Sequence, residues 1–318
     1  MGTESTILLT GGSGIVGWLL ARRFAQAGHA VHLLVRKGSR KGLRERVSAF
    51  RALDCAAADR MRVFTGDVTQ PGLLDDESRA RILAECTGVV HCANERRWDK
   101  PRDQVFDVNI GGTRALLELA ADFAQPVQRF LHVSDLRVVG DHRGVFTEGM
   151  ALQGQGFGGD YALESRLLAE RHVHRARALP TTVLRCAHPV GVEPDASRVA
   201  DPLTSLWAGR SSLRGRFLPS PYLHVVHGEQ LAGLAVAAYA DEEVVGCTLH
   251  AADPAAPTVN EVGASMGLGP RRSDGAGLPA PWARLDTTVA DGLRRRAGLA
   301  RPSSDDVLTA IRGAHGRV

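Results

Sequence analysis

Residues 10–17 read TGGSGIVG and follow directly on a short apolar run that starts at Thr6. Two glycine spacings overlap there: Gly11, Gly14 and Gly17 fit GxxGxxG, and Gly12, Gly14 and Gly17 fit GxGxxG. The run reads as a buried strand, Thr6–Thr10, and the residues after the glycines as a helix, Ile15–Ala27. A strand that turns tightly into a helix leaves the free N–H groups and positive dipole end of that helix facing outward. Without Cβ atoms in the way, a pyrophosphate can approach the backbone. Gly11, Ser13, Gly14, Ile15, Val16 and Gly17 are therefore candidates to hold the phosphates of a dinucleotide.

The rest of the first half repeats this alternation. Strands are expected at Ala30–Val35, Met61–Thr65, Gly88–Cys92 and Arg129–Val133, each short and rich in Val, Leu or Ile. Helices are expected at Lys41–Ala52, Glu77–Cys86 and Ile110–Phe123, then from Tyr161 through Arg177, ahead of a strand at Thr181–Arg185. Apolar strands alternating with helices argue for an α/β protein with a doubly wound parallel sheet, helices covering both faces. Beyond Gly191 the pattern loosens. Gln230–Ala240 reads as helix, Cys247–Ala251 as strand, residues 267–285 as loop, and Asp305–Arg312 as a closing helix. The expected division is a nucleotide-binding domain over 1–191 and a mainly substrate-binding lobe over 192–318, with 223–252 returning to the first domain.

Composition narrows the function. The chain has 318 residues, 44% hydrophobic and 23% charged, as in an ordinary globular protein. It contains no apolar run of membrane-spanning length, and its N-terminus lacks a basic stretch followed by an apolar core, so no membrane association and a cytoplasmic location are expected. The net charge of +4 is spread without a block of like charges, which gives no support for nucleic-acid binding. The five cysteines (Cys55, Cys86, Cys92, Cys186, Cys247) show no CxxC spacing and argue against both a disulfide framework and a metal site.

Further nucleotide candidates lie at the ends of the expected strands. A free ribose 2′-OH is usually held by an acidic residue about 20 positions past the glycines. Here Arg36 stands at that point, with Ser39 and Arg40 close by, and a guanidinium fork matches a 2′-phosphate, so NADP(H) is expected rather than NAD(H). Asp67 and Val68 follow the third strand, where the carboxylate can meet an adenine amino group. Cys92 and Ala93 end the fourth, with small side chains where a cofactor would pass. Asn109 precedes Gly111-Gly112-Thr113 at a helix start.

Together these segments resemble the extended short-chain dehydrogenase/reductase superfamily, and most of all its thioester-reductase and fatty-acyl-reductase-like branch. The matching stretches are TGGSGIVG (10–17), VHLLVRKGSR (31–40), GDVTQPGL (66–73), VVHCAN with Trp98 and Pro101, and DVNIGGTRALLELA (107–120). They continue with HVSDLRVVG (132–140), GVFTEGM (144–150), LLAERHV (167–173) and LHVVHGEQLAGLAVAA (223–238). The resemblance covers residues 5–260 and implies a Rossmann-type NADP-binding domain, a small C-terminal substrate lobe and a small-molecule or carrier-bound substrate. It also implies a homodimer paired through the helices carrying Asn109 and Tyr161.

The same resemblance exposes three departures. The family's Tyr works with a Lys four residues later, which lowers the Tyr pKa, and with a Ser or Thr hydroxyl. Tyr161 is followed by Ser165 at the lysine position, and lysine occurs only at 37, 41 and 100. A one-residue insertion, judged from Ala169-Glu170, would set Arg166 opposite the family's Lys, about 100° further round the helix than Ser165. The family's second serine is Asp135, after Ser134, and its LRP is Leu184-Arg185-Cys186, with the nearest proline displaced to Pro189, next to His188. The candidate catalytic groups are thus Tyr161, Asp135, Ser134, Arg166 and His188, with Asp135 read as a general base. Since only the hydride end is altered, the leading expectation is redox-neutral acid–base chemistry: cyclisation, elimination or isomerisation of a small carbonyl-containing metabolite. The alternative is an NADPH-dependent reductase of a ketone, aldehyde or carrier-bound thioester, and a third is a non-catalytic NADP(H) sensor.

Overall fold

The computed structural model describes residues 4–97, 99–191, 224–253 and 284–300, together with residue 309. Trp98, all but residue 309 of the helix expected over 305–312, residues 267–283 of the loop expected over 267–285 and most of the expected substrate lobe lie outside the described residues; the last two residues of that loop, Arg284–Leu285, form a short strand instead.

The expected alternation forms a single parallel sheet. Its strands are β1 (Thr6–Thr10), β2 (Ala30–Val35), β3 (Met61–Thr65), β4 (Gly88–His91), β5 (Arg129–Asp135), β7 (Thr181–Cys186) and β10 (Thr248–Ala251). They are ordered β10-β7-β5-β4-β1-β2-β3, with every pairing parallel. The chain order reverses between β1 and β4. In open α/β sheets the ligand crevice lies beyond the C-terminal strand ends at such a switch point. Among the described residues, four strands of two or three residues lie outside the main sheet: β6 (Val145–Phe146) pairs with β11 (Arg284–Leu285), and β8 (His188–Val190) with β9 (Val225–His227).

The helices are α1 (Ile15–Gln26), α2 (Arg40–Arg51), α3 (Cys55–Asp59), α4 (Asp76–Glu85), α5 (Arg102–Phe106), α6 (Gly112–Ala121), α7 (Tyr161–Arg175), α8 (Gly228–Ala240) and α9 (Thr288–Arg296). Two apolar clusters, one on each face, bury the sheet. Leu19, Leu20 and Phe24 of α1 join Leu231, Leu234 and Ala238 of α8 in one. Leu116, Leu117 and Ala120 of α6 join Ile82 of α4 in the other. Between α5 and α6 a π-helical turn over Asp107–Gly111 carries Asn109 into the interior. Such wide turns commonly mark functional sites.

α7 is the element that decides the chemistry. Asp160 caps its start, accepting from the N–H groups of Ala162 and Leu163. Its buried face is Ala162, Ser165, Arg166, Ala169, Glu170 and Val173, spaced by three and four residues and turned toward the sheet. Glu170 forms a fully buried ion pair with Arg185 of β7, 2.8 Å apart. Arg185 also donates to the Met150 carbonyl and meets the His250 Nε2 of β10 at 3.2 Å. The Glu148 carboxylate holds the C-terminal segment, accepting from the N–H groups of His250, Val289 and Ala290. It serves as a remote cap for the first turn of α9.

Candidate functional site

The glycine loop is set by backbone contacts. Gly11 has φ +75°, a region that favours glycine, and a Cβ there would come within 2.6 Å of the Ala93 nitrogen. A Cβ on Gly17 would lie 2.2 Å from the Gly11 carbonyl oxygen. These two glycines let the loop lie against the end of β4 and let α1 start close beneath it. Gly14 is the N-cap of α1, and no side chain caps that helix. The geometry fits a pyrophosphate: Ser13, Ile15 and Val16 sit where a helix start offers backbone N–H groups. Arg46 of α2 donates to the Ser13 carbonyl at 2.9 Å and secures the loop from outside.

The loop is joined to β4 by a buried relay that sequence reading missed. His91 Nδ1 meets the Thr10 hydroxyl at 2.7 Å, and His91 Nε2 meets the Thr113 hydroxyl at 3.0 Å. Thr113 donates to the Asn109 carbonyl, so its oxygen accepts from His91, and the imidazole carries its proton on Nε2. The Thr10 oxygen accepts from the Ala93 N–H. Burial lowers the His91 pKa to about 4, which keeps the ring neutral.

Around the expected adenine end, Arg36 and Arg40 are exposed beyond β2, with Ser39 half-buried between them. Asp67 accepts from the backbone and hydroxyl of Thr69, at 3.0 and 2.8 Å, in a local turn. Val68 packs so tightly on α6 that a Cβ at Gly112 would meet its side chain at 2.7 Å. Cys92 is half-buried, and burial around its sulfur pushes the thiol well above the usual range, so it stays protonated.

Asn109 differs from expectation. Its Oδ1 accepts from the Glu95 N–H at 2.7 Å, while Nδ2 donates to the Glu95 carbonyl and the Ser165 hydroxyl. Both amide hydrogens are used inside the protein. Asn109 therefore fixes the segment after β4 against α7 instead of offering its side chain to a cofactor.

The catalytic candidates are rearranged as well. Tyr161 does not stand on the buried face of α7. It lies five residues before Arg166, about 140° round the helix. Its ring packs under the Arg102 guanidinium of α5, which also covers Phe106. Ala162 takes the place four residues before Arg166 and is buried. Ser134 is turned into the core, where its hydroxyl donates to Glu170 at 2.5 Å. His188 starts β8, two residues past the end of β7.

Arg166 and Asp135 do meet. The Asp135 carboxylate accepts from the Arg137 backbone N–H, from Arg137 Nε at 3.0 Å and Nη2 at 2.7 Å, and from Arg166 Nη1. Arg166 Nη2 also donates to the Asn94 side chain and the Glu95 carbonyl. Burial alone would raise the Asp135 pKa, but Arg137 and Arg166 overturn that and hold the carboxyl well below the usual carboxylate range. Burial draws the Arg166 pKa down to about 10, against the pull of Asp135, so the guanidinium stays charged at neutral pH. The expected general base is thus a locked counter-ion: a carboxylate held by two guanidinia has little affinity for a substrate proton. The signal available in sequence was Arg137, two positions after Asp135.

Among the described residues there is no group of three side chains placed to hold a metal ion, and no helix is long and apolar enough to cross a membrane.

Residues 9–207 match the family described as male sterility protein, an NAD-binding domain. An NRPS-like oxidoreductase, fscA, of Fusarium equiseti is 29% identical over 141 residues, 44% of this chain and 14% of the relative. Fatty acyl-CoA reductase 1 of Xenopus laevis is 28% identical over 143 residues, 40% of this chain and 27% of the relative. The chain thus spans about a quarter or less of the length of these two relatives. Among solved structures, the terminal R domain of the myxalamid PKS-NRPS pathway superposes with a TM-score of 0.80 over 99% of this chain and 91% of that one. At 21% identity, that likeness speaks for the fold. With well over half its length matched, the chain belongs to the male sterility protein family of NAD-binding domains, in the thioester-reductase and fatty-acyl-reductase branch of the extended short-chain dehydrogenase/reductases.

Proposed function

We propose that the chain is a nicotinamide-dependent reductase of an activated carbonyl, with a carrier-bound or coenzyme-bound thioester as the preferred substrate class. The observation that carries this reading is the state of Asp135. Redox-neutral acid–base chemistry needs a free base at that position, and Asp135 is ionised and shared between Arg137 and Arg166. A cationic site without a free base is better suited to receiving negative charge than to removing protons. The named relatives, an NRPS-like oxidoreductase and fatty acyl-CoA reductases, point the same way.

The loop residues Gly11, Ser13, Gly14, Ile15, Val16 and Gly17 would hold the dinucleotide phosphates. Arg36, Ser39 and Arg40 would favour a 2′-phosphate, with Asp67 and Val68 beside the adenine. Reduced nicotinamide bound there supplies the hydride. Addition to a thioester carbonyl leaves negative charge on the oxygen, and the field of Arg166 and Arg137 lowers the energy of that charge. Re-forming the C=O bond breaks the C–S bond, the electron pair leaves on sulfur, and solvent protonates the thiolate. No proton need reach the carbonyl oxygen in that step. This is why a thioester suits a helix that presents Ala162 and Arg166, instead of a Tyr–Lys pair, to the sheet.

The test is turnover of acyl thioesters with NADPH or NADH, reading absorbance at the nicotinamide band and free thiol together. Oxidation of NADPH in step with thiol release is expected, faster than with NADH. A chain that binds the dinucleotide yet oxidises it with no thioester, aldehyde or ketone would be the sensor instead.

A further inference from the structure

His91 ends β4, a strand buried between two helical layers, where an apolar side chain would satisfy the packing. A buried imidazole costs stability unless both ring nitrogens are hydrogen-bonded. Here both are, and to two different elements. The Thr10 hydroxyl at the end of β1 donates to Nδ1, and the Nε2 proton goes to the Thr113 hydroxyl of α6. Each hydroxyl makes one further bond: Thr10 accepts from the Ala93 N–H, and Thr113 donates to the Asn109 carbonyl in the π-helical turn.

Residues 92–95 leave β4 and belong to no helix or strand, so side chains take over their backbone groups. Thr10 takes the Ala93 N–H, and Asn94 folds back on the Cys92 carbonyl. Asn109 takes both the N–H and the carbonyl of Glu95 and ties them to Ser165 of α7. Arg166 meets the same segment, donating to the Asn94 side chain at 3.0 Å and to the Glu95 carbonyl at 3.4 Å. The glycine loop and Arg166 thus stand at the two ends of one short segment. His91 touches the anchors of both ends: Thr10 at one, and Thr113, which holds the Asn109 turn, at the other. Thr10, His91, Asn109, Thr113 and Ser165 are all buried, so water does not compete for these bonds.

We propose that His91 is a positioning residue: it fixes segment 92–95 between the glycine loop and Arg166, and so sets how the nicotinamide end of a bound dinucleotide is held toward Arg166. This rests on the reductase reading, in which one cofactor must span from phosphates at the loop to a carbonyl at Arg166. Without the imidazole, the Thr10 and Thr113 hydroxyls lose the partner that fixes their direction, and the segment can shift at both ends. A misplacement of about 1 Å by a residue far from the chemistry is enough to slow a reaction about a hundredfold. The loop keeps its own bonds, from the Gly14 N–H to the Gly11 carbonyl and from Arg46 to Ser13, and should still seat the phosphates.

The full chain and its His91→Phe and His91→Gln variants are titrated with NADPH and with NADH. Two signals are read without substrate. The calorimetric dissociation constant reports the whole dinucleotide, and the anisotropy of the nicotinamide emission reports how firmly that end is held. His91→Phe keeps a ring and loses both hydrogen bonds. It is expected to leave the dissociation constant near the wild-type value and to lower the anisotropy of the bound nicotinamide. With an acyl thioester it should lower kcat by about ten- to a hundredfold, with the thioester KM little changed. His91→Gln can still accept at one end and donate at the other, and should recover most of both losses. If His91→Phe does not fold, Thr113→Val breaks the same link from α6 and is expected to act in the same direction. A histidine that only stabilises the fold predicts a lower urea midpoint with unchanged anisotropy and unchanged kcat, or a loss that glutamine does not restore. Either result overturns the proposal, as does failure of the wild type to bind either dinucleotide. If the thioester assay alone fails, the reductase reading falls, and the anisotropy still decides whether His91 orients the bound nicotinamide.

Discussion

At the scale of single residues, what matters is which way a side chain faces. The glycine loop was legible in sequence because its constraint is local: Gly11 and Gly17 are needed by atoms a few residues away or on the adjoining strand end. The catalytic helix was not, because one residue of slip turns a side chain through about 100°. Tyr161 stands by Arg102 on a flank of α7, while Arg166 faces Asp135 across 31 positions of sequence. Separate outcomes follow for the two. Tyr161→Phe is expected to keep the turnover rate within about threefold, since a hydroxyl outside the transition state contributes little to it. Arg166→Gln is expected to lower kcat by about a hundredfold or more, the usual cost of removing a group aimed at developing charge. Arg166→Lys should recover part of that loss. Calorimetric dinucleotide binding, retained in all three variants, would separate catalysis from folding. If Tyr161→Phe proved as damaging as Arg166→Gln, the assignment of α7's faces would be wrong.

At the scale of elements, long apolar strands and periodic helices were readable because burial on both sides of a parallel sheet leaves continuous Val, Leu and Ile runs. β6 and β11, two residues each, were not, since no periodicity exists over that length. Nor was the contact between α7 and β7, which joins Glu170 to Arg185 with neither side chain exposed. Here the sequence contains only an Ala-Glu pair and an arginine in a strand; the sheet order brings them together. Glu170→Ala should leave Arg185 as an uncompensated buried charge and cost roughly 3–5 kcal/mol. The paired change Glu170→Leu with Arg185→Met should recover much of that loss, because apolar groups of similar volume often replace a buried ion pair without penalty. Urea denaturation of the three proteins measures both. A single substitution costing under about 1 kcal/mol would mean that water reaches the pair and that it behaves as a surface salt bridge.

At the scale of the whole molecule, burial of histidine sets the response to acid. Twelve histidines are visible in the sequence, but which of them are enclosed depends on the fold. Four are buried on strands of the main sheet: His32 on β2, His91 on β4, His132 on β5 and His250 on β10. Burial is the main cause of a lowered pKa in each: about 4 for His32 and His91, about 3 for His132 and His250. Their ordinary value is 6.5. As pH falls below 6.5 the unfolded chain takes up protons that the folded chain refuses, so stability present above that pH is lost on the way down toward 4. Glu148 acts in the opposite sense. Burial pushes it up to about 7, against three backbone N–H groups, so the folded chain gains a proton there before the unfolded one does. Four histidines outweigh one carboxyl. A net difference of about three protons changes stability by roughly 4 kcal/mol per pH unit at full effect, against a typical total of about 5–15 kcal/mol. The melting temperature is therefore expected to hold between pH 8 and 7 and to fall steeply below 6.5, with loss of the fold near pH 5. His132→Leu removes one titrating ring, whose Nδ1 has no partner among the described residues, and should move the acid limb to lower pH. A melting temperature that stays flat from pH 7.5 to 4.5 would mean that these rings can take up protons within the folded sheet, and that the strand ends around His91 and His132 open far more readily than their packing implies.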